Sequence, residues 1–154
     1  VPSFMAACGV SREEIERMLS LCTLFISGRD GYQEMTGTED PFLAMKNLQK
    51  SFRMGDGLIC TVGDDGAYWL RGEEILTQMS FAIEPVDTTG AGDCFTAGVI
   101  FDFYCRHQLP ENALLFASAA AALKCMTKGP RSTTDLAMIQ DFIHKRNSIC
   151  HPEL

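Results

Sequence analysis

No stretch of this 154-residue chain is apolar over anything near the roughly 20 residues that a bilayer-spanning helix needs, so none is expected. Basic charge is also scarce: 13 Lys and Arg stand against 20 Asp and Glu, a net charge of −7. Phosphate contacts call for a basic face, which argues against nucleic acid as a partner. The opening VPSFMAACGV has no basic residue ahead of its apolar ones, so it does not read as a secretory signal. An initiator Met is missing too, and we expect a chain that is processed, trimmed or excised from a longer one. The seven cysteines form no C-x-x-C pair and stand at no zinc-ligand spacing with His. They read instead as reduced, buried small hydrophobes of a cytoplasmic protein. Internal repeats and low-complexity linkers are absent as well.

What is there is ordinary for a globular protein: 46% hydrophobic and 21% charged residues, in a length that suits one domain or a piece of a larger one. Ser11-Arg12-Glu13-Glu14 is a capping box, and Ile15, Met18, Leu19 and Cys22 follow at helical spacing, which predicts a helix over 11–22. Residues 23–27 (TLFIS) read as a buried strand ended by a turn at Gly28-Arg29-Asp30-Gly31. Asp40-Pro41 caps a helix running to about Phe52. Residues 57–62 form a second strand, 63–66 a turn and 67–70 a third strand. Gly72 turns the chain into 75–79, and Phe81 to Val86 is extended. Helices are expected over 91–107, 110–127 and 134–147. The second opens on Pro110-Glu111, and its run Ala117 to Ala122 allows close packing; the third puts Leu136, Ile139, Phe142 and Ile143 on one face. Alternating strands and helices argue for an α/β layered domain with a largely parallel sheet. Two or three central strands are few for a self-sufficient sheet of that kind.

Asp87-Thr88-Thr89-Gly90-Ala91-Gly92-Asp93-Cys94-Phe95-Thr96-Ala97-Gly98 carries the most chemistry. Glycines let the backbone approach a ligand closely, and free N–H groups at a helix start favour an anion. A carboxylate beside such a hole points to phosphoryl or acyl transfer with Asp93 as the base. No Gly-Lys-Ser/Thr follows, so this is not a Walker A loop. Phe95 stands where a dinucleotide fingerprint needs its third glycine. For a bare G-x-G-D the better reading is a tight strand-to-helix turn, with Asp93 a first-turn residue complementing the helix dipole. Cys94 has two readings, a packed thiol and one whose pKa the helix N-terminus lowers. Lys124, Lys128 and Arg131 read as solvated side chains, His107, His144 and His151 as surface residues, and the methionines as core filler.

The extended motif from Asp87 to Gly98 closely resembles the signature of the ribokinase-like (PfkB) sugar kinases. Other segments agree in order: Met35-Thr36-Gly37, Thr61-Val62-Gly63-Asp64-Asp65-Gly66-Ala67, Ala119 to Leu123, and Thr127-Lys128-Gly129-Pro130. The resemblance runs from Ser11 to Ile143. It implies the C-terminal part of a three-layer α/β/α fold, a single partial domain over 1–154 whose N-terminal half is not in this chain. It further implies ATP-dependent phosphorylation of a hydroxymethyl group on a sugar or related alcohol. Asp93 would take the hydroxyl proton, and the backbone N–H groups of Gly90, Ala91 and Gly92 would form the anion hole. Thr61, Gly63 and Gly66 match positions lining a nucleotide pocket, although a plain hairpin turn accounts for them too. Ser118 falls near an Asn that contacts adenosine in relatives. Asp87 and Thr89, with the loop from Thr127 to Thr133, match a monovalent-cation site of some members; a turn-capping role for Asp87 is the alternative. ATP and Mg2+ are the implied cofactors, with K+ as a third.

The family's Asn-x-x-Glu, which organises magnesium and phosphates, has no counterpart in Ser27-Gly28-Arg29-Asp30-Gly31-Tyr32-Gln33-Glu34. Asp30 and Glu34 are the available substitutes. With the sugar-binding half absent, exposed strand edges call for a missing N-terminal segment, a second chain or self-association. A non-catalytic ATP-binding or interaction module, and a nucleoside or vitamin-precursor kinase of the same fold, remain as alternatives.

Overall fold

The computed structural model describes residues 7–150, with side chains as far as Arg146. Residues 1–6 of the opening segment and His151 therefore lie outside the described residues. The chain divides into two compact units, Val1–Thr77 and Gln78–Leu154.

In the first unit, helix α1 (Arg12–Leu19) starts on the expected capping box: the Glu14 N–H donates to Ser11 Oγ, and the Ser11 N–H donates to the Glu14 carboxylate. Strand β1 (Leu24–Gly28) leads directly into helix α2 (Arg29–Thr36), where the sequence reads as a turn. The glycines there act differently from turn glycines. Gly28 is an extended N-cap, and Gly31 lies inside the helix, where a Cβ would meet Ser27 Oγ and oblige that hydroxyl to turn away. Gly37, at φ 71°, ends α2 in the left-handed conformation that favours glycine. Helix α3 (Pro41–Ser51) is capped by Asp40, whose carboxylate accepts the Leu43 N–H at 2.7 Å, with Pro41 in the first turn.

Strands β2 (Gly57–Thr61), β3 (Ala67–Arg71) and β4 (Glu74–Gln78) complete a sheet of order β1-β2-β3-β4. β1 and β2 run parallel, from Leu24↔Gly57 to Gly28↔Thr61, whereas β2 and β3 run antiparallel. The sheet is thus mixed rather than largely parallel. The cause is the short 62–66 connection, which cannot carry a crossover and must return the chain beside β2. Leu58 and Cys60 of β2 face a core of Leu19, Tyr32, Met45 and Leu48, while Ile59 and its partner Trp69 are buried on the opposite face. The buried Tyr32 and Trp69 side chains place their polar atoms on backbone carbonyls: the Tyr32 hydroxyl donates to the Ile59 carbonyl, and Trp69 Nε1 to the Asp56 carbonyl.

In the second unit, residues 79–90 form no strand. The Val86 and Asp87 N–H groups instead donate to the Cys125 carbonyl, at 2.7 and 3.1 Å. Helix α4 (Ala91–Val99) continues into a wider π-helical turn (Ile100–Cys105), closed by Arg106 N–H to the Phe101 carbonyl. Helix α5 (Pro110–Cys125) packs on α4 where Gly98 meets Ala117: a Cβ on Gly98 would lie 2.7 Å from the Ala117 Cα. Helix α6 (Leu136–Cys150) closes the unit, with Ile139 buried against Phe116, Ala119 and Ala120 and with Phe142 and Ile143 beside it. Leu136 departs from the expected face and stays exposed.

Among the described residues no helix is long and apolar enough to cross a membrane. The six described cysteines are free, as expected, yet only Cys60 is buried. Its thiol is pushed up to about 11 by that burial. His107 and His144 are exposed, as are Lys128 and Arg131. Met35, Met45 and Met54 fill core; Met18, Met79, Met126 and Met138 do not.

Candidate active site

The motif from Asp87 to Gly98 folds into a turn that hands the chain to α4. Gly90 is the N-cap, at φ 82° and ψ 4°, a left-handed conformation that a side chain resists. A second constraint acts on the same residue. A Cβ there would run into the carbonyl oxygen of Pro130, so only glycine lets the 127–130 loop come this close. Helix hydrogen bonding starts with Cys94 N–H to the Gly90 carbonyl at 3.0 Å. Ala91 N–H turns back to the Thr88 carbonyl at 3.1 Å, which closes the turn. The N–H groups of Gly90, Gly92 and Asp93 make no backbone hydrogen bond among the described residues. Three donors are therefore free at the positive end of a helix dipole. Of the three N–H groups expected in the hole, those of Gly90 and Gly92 have no backbone partner, whereas that of Ala91 is bonded to Thr88.

Asp93 itself is exposed in the first turn of α4, with Cys94 half-buried beside it and Phe95 anchored in the core. The arrangement can hold an anion against backbone donors and offer it a base alongside.

Asp87 lies at the centre of the loop's wiring. One carboxylate oxygen accepts the Thr89 N–H at 2.9 Å and the other accepts the Gly129 N–H at 2.8 Å. Those bonds, Thr89's foremost, hold its pKa down at about 2, with a smaller contribution from the charge of Lys124. The turn-capping reading of Asp87 is thus met by its geometry. Lys124 contradicts the solvated lysine expected from its place near a helix end. It is wholly buried, and its ammonium donates to the Asp87 carbonyl at 2.7 Å and the Thr127 carbonyl at 3.4 Å. Sequence reasoning missed this role. The signal available was a lysine one residue before Cys125, at the end of the otherwise apolar run from Ala117 to Leu123.

Ser118 is buried in the middle of α5, six residues and so about 9 Å of helix rise before Lys124. The remaining expected residues form a separate cluster in the first unit. Thr61 ends β2, and Gly63 and Gly66 bracket a single 3-10 turn, at φ 62° and 103°. Val62 N–H donates to the Gly66 carbonyl at 2.9 Å, and Arg29 pairs with Asp65 across the turn's exposed side at 3.1 Å. Asp30 and Glu34 stand one helical turn apart on the exposed face of α2. Among the described residues no group of three His, Cys, Asp or Glu side chains is placed to hold a metal ion.

Residues 1–136 match the pattern of the pfkB family carbohydrate kinases. The chain belongs to that family. One relative, the ketohexokinase of Mus musculus, is 30% identical over 120 residues, which are 77% of this chain and 40% of the relative. Among solved structures, an E. coli protein assigned as a ribokinase II, with ATP and Mg2+ bound, superposes at a TM-score of 0.76 and 27% identity. That match covers 87% of this chain and 43% of the other. A double mutant of the Vibrio cholerae O395 fructokinase, with fructose, ADP and a potassium ion bound, gives 0.76 at 22% identity, over 85% and 44%. The pfkB-family chain described here thus has the ribokinase-like α/β fold, and it spans less than half the length of the relatives it matches.

Proposed function

We propose that this chain is the phosphoryl-transfer part of an ATP-dependent carbohydrate kinase that phosphorylates a hydroxymethyl group of a sugar or related alcohol. The observation that carries the reading is the N-terminus of α4. The N–H groups of Gly90, Gly92 and Asp93 have no backbone partner among the described residues, and the Asp93 carboxylate beside them is exposed, in a chain of this family. A loose phosphoryl-transfer transition state spreads charge over three oxygens and asks chiefly for positioning and fixed donors. The backbone hole, Ala91 included as the residue that closes it, supplies those donors without reorganisation. Asp93 accepts the proton of the attacking hydroxyl as that oxygen bonds to phosphorus and the nucleotide diphosphate leaves.

Thr61, Gly63 and Gly66 would border the nucleotide, because glycine at both ends of the 3-10 turn leaves the backbone uncovered. Ser118 would face the adenosine. Bound magnesium neutralises phosphate charge, and it needs only one or two carboxylates besides the phosphates and water. The described residues fit that requirement though they build no closed cage, and Asp30 or Glu34 would serve in place of the absent Asn-x-x-Glu.

The test is an assay of the full-length protein against a sugar panel with ATP and Mg2+. Asp93→Asn should lower kcat by about 100- to 10,000-fold while leaving nucleotide binding in place. Turnover that survives the substitution removes Asp93 from the base role. The missing Asn-x-x-Glu favours a second reading, a non-catalytic ATP-binding module, and ATP binding without turnover on any sugar, nucleoside or vitamin precursor would support it.

A further inference from the structure

The geometry around Asp87 does not fit a bound monovalent cation, because a side chain of this protein already occupies the place. Lys124 comes off the last turn of α5 with no exposed surface, and its Nζ lies 2.7 Å from the Asp87 carbonyl oxygen and 3.4 Å from that of Thr127. A cation bridging the motif to the 127–130 loop would use those same carbonyl oxygens. The Asp87 carboxylate offers little in exchange, since each oxygen already accepts a backbone N–H, from Thr89 and from Gly129. A second positive charge placed here would sit against the buried Lys124 ammonium, and like charges at that range repel.

The ammonium's carbonyl contacts also have a direction. Asp87 opens the motif and Thr127 opens the loop that returns beneath Gly90, so one buried cation ties together the two backbone segments whose close approach shapes the anion hole. No carboxylate lies within ion-pair distance of Nζ among the described residues. The charge is balanced by carbonyl dipoles and by the nearby Asp87 carboxylate.

We propose that Lys124 is a positioning residue that replaces a bound monovalent cation with a tethered ammonium, so that the Asp87–Gly90 turn is held independently of potassium. That the turn serves phosphoryl transfer rests on the function proposed above; the cation claim can be tested without it. The measurements use full-length protein at constant ionic strength, with KCl exchanged for choline chloride, and thallium-205 NMR with Tl+ as the potassium probe. The wild type should show equal melting temperatures in the two salts and no saturable Tl+ binding. Lys124→Ala opens the place, and KCl should then raise its melting temperature over choline chloride by about 4 °C or more through mass action. In the kinase assay, wild-type kcat should be the same in both salts, and Lys124→Ala should regain activity with K+ or NH4+. Saturable Tl+ binding to the wild type that Asp87→Asn abolishes would overturn the proposal. So would a Lys124→Ala protein that is indifferent to potassium. If Lys124→Ala does not fold, the wild-type thallium measurement decides alone, and if no sugar is phosphorylated in any salt, the kinase reading fails while the melting and thallium results still stand.

Discussion

Asp87 shows how one side chain can fix a loop whose sequence offers little packing. Its two carboxylate oxygens accept N–H groups from residues 42 positions apart in one case and two in the other, and both bonds favour the ionised form. The carboxyl is therefore held down at about 2, below the ordinary carboxylate range. The sign follows from linkage: the unfolded chain binds the proton more readily, so this contribution is fully present above about pH 4 and is lost as pH falls through about 2. Acid unfolding of the wild type should steepen across that window, and Asp87→Asn should flatten it. An unchanged acid profile in the variant would show that the carboxylate is not what ties the loop down. The residue's chemistry was half legible in the sequence, where an Asp before Thr-Thr-Gly reads as a turn cap or a cation ligand. The proposal that chooses between the two rests on a lysine 37 positions away, and no local pattern states that its ammonium reaches the Asp87 carbonyl. Gly90 was legible as an approach point, but the approaching group, the Pro130 carbonyl, was not.

At the scale of elements, local signals with a direct physical cause carried over well. The capping box of α1 and the Asp40-Pro41 start of α3 both specify bonds within four residues, and both are made as read. The readings that failed depend on neighbours. Gly28 and Gly31 look like turn glycines, yet they start a helix, in which a Cβ on Gly31 would crowd Ser27. Gly98 is the same kind of residue in α4. A glycine in a helix interior ordinarily costs about 1 kcal/mol against alanine, so Gly98→Ala would stabilise an uncrowded helix by about that much. Here the new methyl meets the Ala117 backbone, and overpacking costs about 1–3 kcal/mol. The balance favours glycine. Gly98→Ala should therefore lower stability in chemical denaturation, and a higher denaturation midpoint would mean that α4 and α5 can move apart at little cost.

For the whole molecule, the sheet sets the terms. β1 stands at one edge of the order β1-β2-β3-β4, and its residues from Leu24 to Ser27 are only half-buried. β2, by contrast, is buried along nearly its full length because it has a strand on each side. A parallel edge with half-covered Leu24, Phe25 and Ile26 offers hydrogen-bonding groups and apolar area together, which is the combination that recruits another strand. This chain matches less than half the length of the relatives it resembles, so they hold further chain that could cover such an edge. We expect the 154-residue chain, produced alone, to associate through β1 as its concentration rises, and light scattering after size exclusion should show mass growing beyond the monomer. Ile26→Lys, which charges that edge without entering the described site, should return the monomer. In the full-length protein the same amides should be protected from hydrogen exchange, because a neighbouring strand then takes their free bonds. A 154-residue chain that stays monomeric at all concentrations, with β1 amides as protected as those of β2, would mean that the edge is already covered within this chain.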